Sequence, residues 1–223
     1  ARTAREGRDP DRRKRGGGDL YKVVFDRRYG GDLQGVVQKL DDLKALGVTA
    51  LYLNPIFQAR SLHKYDASDF RHIDSALGNP PEAGASAPID ETYYTPPAGE
   101  TADPATWTWT PADRYFVDVF LPECKKRGLR VILDGVFNHT GKEFWAFEDL
   151  KKNGRNSPYA SWYQAEFDQQ GNLVGWSGWE NKNGYLPEFR QVKGTGRDWD
   201  TTVEKGDLNA GAKEHIFAIT KRW

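Results

Sequence analysis

The sequence predicts an α/β fold built on a parallel sheet with crossover helices, either open or closed into a barrel. Three observations carry this expectation. The stretches L-K-A-L-G-V-T-A-L-Y-L (43–53) and C-K-K-R-G-L-R-V-I-L-D (124–134) repeat one unit of helix, glycine and apolar strand. Such a repeat implies parallel strands joined by helices. Both strands are uninterrupted apolar runs, as expected of strands buried on both faces of a parallel sheet. Long polar segments leave the carboxyl ends of both strands, the edge where α/β folds build their sites.

The elements follow in order. Residues 1–19 are rich in Arg, Lys, Gly and Pro and read as a solvated surface loop. A nuclear signal or anion-binding arm is the sharper reading of that loop, and the absence of any basic bias elsewhere argues against it. Leu20 to Phe25 is a short β-like run, and Gly30 and Gly31 turn the chain. Asp32 is placed to cap a helix. Leu33, Val36, Val37, Leu40, Leu43 and Leu46 then recur at helical spacing, with Gly47 at the C-terminal cap. Val48 to Leu53 is the first buried strand. Asp113 to Arg127 reads as a helix with Phe116, Val119, Phe120 and Cys124 on one face. Pro122 is expected to kink it, because its ring clashes with the preceding turn. Gly128 ends that helix and Leu129 to Leu133 is the second strand. A last helix spans Ala212 to Trp223 with Ile216, Phe217 and Ile219 inward. Residues 56–112 and 141–208 read as long irregular segments, and loops of such length are usually functional.

Lysine plus arginine equals aspartate plus glutamate, 32 each, so the formal net charge is zero. That balance gives no support for a nucleic-acid partner or an acidic membrane surface. No apolar run is long enough for a membrane span. The single cysteine, Cys124, excludes an intrachain disulfide and reads as a buried, inert thiol on its helix. The absence of Met implies a processed chain or a piece of something longer. Aromatic residues make up 13% of the chain, with eight Trp and ten Tyr, and their flat faces suit sugar rings as well as cores.

The chemistry concentrates at R-V-I-L-D-G-V-F-N-H-T (130–140). Asp134, Asn138 and His139 follow the second strand within six residues. A carboxylate, an amide and an imidazole at a strand end are costly unless partnered. Taken singly, Asp134 reads equally well as a turn cap or an arginine's partner, His139 as a core histidine and Tyr65 as packing. On the residues alone, both the structural and the functional readings stay open for Asp134, His139 and Tyr65. Phosphate-binding glycine loops and zinc spacings are absent. Ser61-Leu62-His63-Lys64 fits a Ser-x-x-Lys pattern whose partner motifs are missing. Asn138-His139-Thr140 fits a glycosylation acceptor in a cleft-like position that argues against its use.

D-G-V-F-N-H (134–139) resembles the first conserved region of the α-amylase family of glycoside hydrolases, and H-K-Y-D-A-S-D-F (63–70) resembles a segment of its cyclomaltodextrinase and neopullulanase branch. Y-G-G-D-L-Q-G (29–35), L-Y-L-N-P-I-F (51–57) and L-P-E-F (186–189) fit the same pattern. The resemblance implies part of a (β/α)8 barrel (20–140), a B-domain-like insertion after the third strand (141–208) and a barrel helix (209–223) preceding a missing fourth strand. It implies a retaining α-glucan hydrolase acting on maltodextrins or cyclodextrins. A transglycosylase or isomerase on the same scaffold, and a non-catalytic binding relative, are the alternatives.

The resemblance also assigns roles. Asp134 would support the floor of the site, His139 would hydrogen-bond the sugar and Tyr65 would stack on it. His63 and Asp66 would line the pocket, and Trp176 and Trp179 would serve as sugar platforms. Asn138 would bind a structural calcium ion, with no cofactor needed for the chemistry. An α-glucan oligosaccharide is the implied partner, without nucleic acid or membrane, and a homodimer is compatible with it. The family's carboxylate nucleophile and general acid follow its fourth and fifth strands, beyond the last residue here, so this chain alone is expected to lack both.

Overall fold

The computed structural model describes residues 31–78, 96–179, 181–197 and 204–223, with side chains undescribed between 192 and 207. The basic segment 1–19, the run Leu20–Phe25 and Gly30 lie outside the described residues.

Asp32 caps the first helix as expected, its carboxylate accepting from the Gly35 amide at 2.7 Å. The helical pattern of 33–46 is split, however, into α1 (Leu33–Val37) and α2 (Leu40–Ala45). Leu33 and Leu40 are buried, whereas Leu46 faces solvent. Gly47 takes the left-handed conformation of a helix C-cap, with φ of 85°. Strand β1 (Ala50–Leu53) follows.

The segment after β1 is not the irregular loop expected. It folds into β2 (Phe57–Ala59) and β3 (Ala67–Ile73), paired antiparallel, and then α3 (Ser75–Gly78). β3 escaped notice because its sequence, A-S-D-F-R-H-I, carries charge at alternate positions and yet every residue is buried. The charges survive burial because they are paired. Arg71 grips Asp69 through two bonds of 2.9 and 2.7 Å, and His72 reaches Asp113 at 2.7 Å and Glu100 at 2.8 Å. Removing charges from water is tolerated when such partners stand in for it.

Thr110 and Asp113 form a reciprocal capping box, so the next helix starts before Asp113, as α4 (Pro111–Arg114). It continues through a π-helical segment, Tyr115–Phe120, into α5 (Leu121–Lys126). Pro122 has no N–H for the preceding turn, and the helix takes up that missing bond by widening just ahead of it. Phe116, Phe120 and Cys124 are buried as expected, and Val119 is exposed. Gly128, at φ of 69°, ends the helix.

Strand β4 (Arg130–Leu133) pairs parallel with β1, Leu51 opposite Val131 and Leu53 opposite Leu133. The parallel pairing agrees with the sequence. The burial does not: Tyr52 is 61% and Ile132 48% exposed. Among the described residues this sheet has two strands, so one face and the outer edges lack the layers that would cover a complete parallel sheet.

The segment after β4 is also structured. It contains α6 (Trp145–Asn153), a hairpin of β5 (Ala165–Phe167) and β6 (Leu173–Trp176), and a second antiparallel pair, β7 (Gln191–Arg197) with β8 (Glu204–Leu208). Helix α7 (Ala210–Arg222) then packs back through Ala212, His215, Ile216 and Ile219. Phe217, expected inside, is exposed. Trp223 closes this end: its indole donates to the Phe70 carbonyl at 3.0 Å and its ring meets Phe57 and Phe116.

Candidate functional site

The site forms where the β2–β3 turn meets the chain leaving β4. Lys64 sits in the turn at φ of 60°, a left-handed conformation unfavourable for a side-chain-bearing residue. Its ammonium is drawn inward to a buried ion pair with Asp74 and to the Ala59 carbonyl. Its neighbours His63 and Tyr65 lie ring to ring, 5.8 Å apart at 29°. The buried lysine pair thus stabilises a backbone conformation that presents two aromatic rings together.

Asp134 follows β4 directly. Its backbone amide continues the parallel ladder to the Leu53 carbonyl at 3.1 Å, and its Oδ2 accepts from the Tyr65 hydroxyl at 2.9 Å. Hydrogen bonding to Asp134, with its negative charge, raises the Tyr65 phenol and likewise Tyr52. Gly141 lets the two segments touch, since a Cβ there would lie 2.4 Å from the Asp66 carbonyl oxygen.

His139 is 5% exposed. Its Nε2 lies 3.0 Å from the Tyr65 carbonyl oxygen. A carbonyl only accepts, so Nε2 carries the proton. Burial holds the imidazole below its ordinary pKa, against the opposite pull of the Tyr65 carbonyl, Glu188 and Asp66. The neutral ring therefore keeps a lone pair on Nδ1, and that buried atom has no hydrogen-bond partner among the described residues. Trp179, 59% exposed, stands 5.6 Å from this ring. The backbone of 138–140 is held by residues 187–189: Thr140 N donates to Pro187 at 2.9 Å and Phe189 N to Asn138 at 3.1 Å.

The expected residues thus divide. Tyr65, His139, Asp134, His63 and Trp179 share one mouth. Asp66 lies one layer behind it, fully buried, taking the Ser61 hydroxyl and the Tyr185 hydroxyl. Trp176 faces elsewhere. Its indole donates to the Gly184 carbonyl at 3.0 Å, Phe147 meets its ring and Lys142 lies over it. Tyr185 escaped the sequence reading because no local pattern announces a contact more than a hundred residues away, such as Tyr185 to Asp66; Glu188 lay within the L-P-E-F that fits the family without being given a role.

Calcium takes six to eight oxygen ligands. The Asn138 backbone oxygen is committed to Phe189, and the one group of three His, Cys, Asp or Glu side chains with converging donor atoms among the described residues is Asp69, His72 and Glu100. That group does not include Asn138. Nor does the Asp69 group suit a metal. Burial opposes charge on His72, but hydrogen bonds to Asp113 and Glu100 and the nearby Asp69 raise its pKa overall. With both nitrogens donating to carboxylates, the imidazolium has no lone pair to give.

The chain leaving β4, the β2–β3 turn and the segment carrying Trp179 thus bring an acid, an imidazole and aromatic rings together beside a parallel strand pair. The family description "Alpha amylase, catalytic domain" matches residues 8–84 and 116–206, and the chain belongs to that family, whose catalytic domain is a (β/α)8 barrel. Relatives include the cyclomaltodextrinase of Thermoanaerobacter pseudethanolicus, 35% identical over 64% of this chain and 19% of its own length. Neopullulanase 2 of Thermoactinomyces vulgaris is 38% identical over 63% of this chain and 18% of its own length. Among solved structures, the cyclic α-maltosyl-(1→6)-maltose hydrolase of Arthrobacter globiformis in complex with maltose covers 89% of this chain and 34% of its own, at 28% identity and a TM-score of 0.60. The chain therefore spans about a fifth of these curated relatives' length.

Proposed function

We propose that this chain holds the sugar ring at the mouth of a retaining α-glucan hydrolase acting on maltodextrins or cyclodextrins. The observation that carries the reading is the buried, unpartnered Nδ1 of His139 beside the exposed Trp179 ring. A buried acceptor without a partner is costly, and a sugar hydroxyl would satisfy it while the ring rests on an aromatic face. Tyr65 supplies a second aromatic wall, and Asp134 fixes its hydroxyl. The names of the relatives, a cyclomaltodextrinase and a neopullulanase, agree with this class of substrate.

In this proposal the long segment after β4 is the family's protruding B domain, and it supplies Trp179. Nucleophile and general acid are not among the residues of the constellation described above. Calcium at Asn138 rests on the resemblance alone; a melting temperature unmoved by calcium or a chelator would remove it.

The test is a tryptophan-fluorescence titration of the purified chain with maltotriose and β-cyclodextrin, using a β-linked galactoside as control. Saturable quenching by the α-glucans alone is expected. Equal response to all three, or none, would overturn the reading.

A further inference from the structure

The loop from Trp176 to Pro187 is a closed, self-braced unit. Asn183 N donates to the Trp176 carbonyl at 2.8 Å and Trp179 N to Leu186 at 3.0 Å, and Gly178 bridges Pro187. Its strands cross so closely that a Cβ on Gly178 would lie 3.0 Å from Gly184 Cα. These contacts brace the described residues of the loop against one another.

Two of its side chains reach the site. Trp179 meets His139, and the Tyr185 hydroxyl donates to Oδ2 of Asp66 at 2.9 Å. Asp66 directly follows Tyr65. The same carboxylate takes the Ser61 amide at 3.2 Å and the Ser61 hydroxyl, closing the turn that carries His63 and Tyr65. One fully buried carboxylate therefore fastens the aromatic turn and the loop together.

We propose that Tyr185 is a positioning residue: its hydrogen bond to Asp66 locks the 176–187 loop onto the Tyr65 turn and so fixes Trp179 beside His139. The inference rests on the reading of this mouth as a glucan site. Burial, with the charge of Asp66 beside it, raises the Tyr185 phenol far above neutrality, so the hydroxyl stays a donor wherever the protein is folded. Tyr185 is half exposed and touches the site through Asp66. Its effect on a bound sugar runs through Trp179.

Tyr185→Phe in the full chain removes the donor and keeps the ring. Its maltotriose dissociation constant is expected to rise about fivefold to tenfold, the size of one typical hydrogen bond lost at a distance from the sugar. Its melting temperature should stay within a few degrees of the parent. The double variant Tyr185→Phe/Trp179→Ala should bind no more weakly than Trp179→Ala alone, because both act through one ring. A structural role without positioning would instead make the two losses multiply. Sugar-free NMR gives an independent readout: the Trp179 indole and His139 Nε2 proton signals should shift or broaden in Tyr185→Phe. Unchanged signals, or unchanged affinity, would overturn the inference. A parent chain that binds no maltotriose would overturn the glucan reading, and the NMR arm would still decide the brace.

Discussion

The Tyr65 hydroxyl donates to Asp134 at 2.9 Å across 69 residues of sequence, and the Tyr65 carbonyl holds His139 at 3.0 Å. One residue of the β2–β3 turn thus orients both functional groups that leave β4. Its side chain fixes the acid and its backbone fixes the tautomer of the imidazole.

Tyr65→Phe keeps the ring and removes the donor. Maltotriose affinity is expected to fall about threefold to tenfold as the Asp134 carboxylate loses a partner. Asp134→Asn in the same background should then add little through Tyr65, whose bond is already gone, leaving only the Tyr52 contact to change. A calorimetric double-mutant cycle reads the coupling, and full additivity would contradict it.

His139→Ala deletes the acceptor itself. In a catalytically complete enzyme carrying this chain, the turnover number is expected to fall by about 2–4 kcal/mol of transition-state stabilisation, with little change in folding. The pH dependence has a definite sign. Because burial lowers the His139 pKa, the neutral acceptor persists into mildly acidic solution, and sugar affinity should drop only as pH falls below the ordinary histidine range near 6.5. Affinity that already falls at or above pH 6.5 would contradict a neutral, buried His139 as acceptor.

His215 and His72 set opposite slopes on stability. His215 is enclosed by Trp107, Trp145, Trp162 and Phe144, and among the described residues neither ring nitrogen finds a well-aligned hydrogen bond. Burial, then the nearby Arg71, pushes its pKa down to about 3, against a weaker pull from the Ala102 backbone. Between about 3 and 6.5 the unfolded chain binds this proton and the folded chain does not, so stability falls as pH falls, by on the order of 4 kcal/mol at the acid end. The raised pKa of His72 does the reverse: its contribution is full below 6.5 and is lost as pH rises through the folded value. Urea unfolding across pH should show a maximum near neutrality, and His215→Leu should flatten the acid side only. An unchanged acid slope in that variant would refute the assignment.

Arg71 is fully buried, stacked 4.5 Å over the Trp145 ring and paired with Asp69 and Glu100. Arg71→Met leaves Asp69 without its paired guanidinium, while Glu100 keeps His72, and is expected to cost about 3–5 kcal/mol by chemical unfolding. Lys39→Met, which breaks only an exposed pair with Asp42, should cost less than about 1 kcal/mol. Equal losses would show that burial does not govern the Arg71 pair.

The sequence by itself determined the helix–glycine–strand repeat, the glycine and aspartate caps, the parallel pairing of the two apolar strands and the short run that carries Asp134 and His139. These are local: a 3.6-residue period, a left-handed glycine or a run of branched side chains is legible within a dozen residues. The tertiary structure decided the rest. It made A-S-D-F-R-H-I a buried strand, because Arg71 and His72 find carboxylates that no local pattern reveals. It turned Trp176 toward Phe147 and Trp179 toward His139, though both lie in one short stretch. It joined Tyr185 to Asp66 and left Tyr52 and Ile132 exposed on a two-stranded sheet. Periodicity says that a residue wants to be covered or charged; only the folded chain says by what.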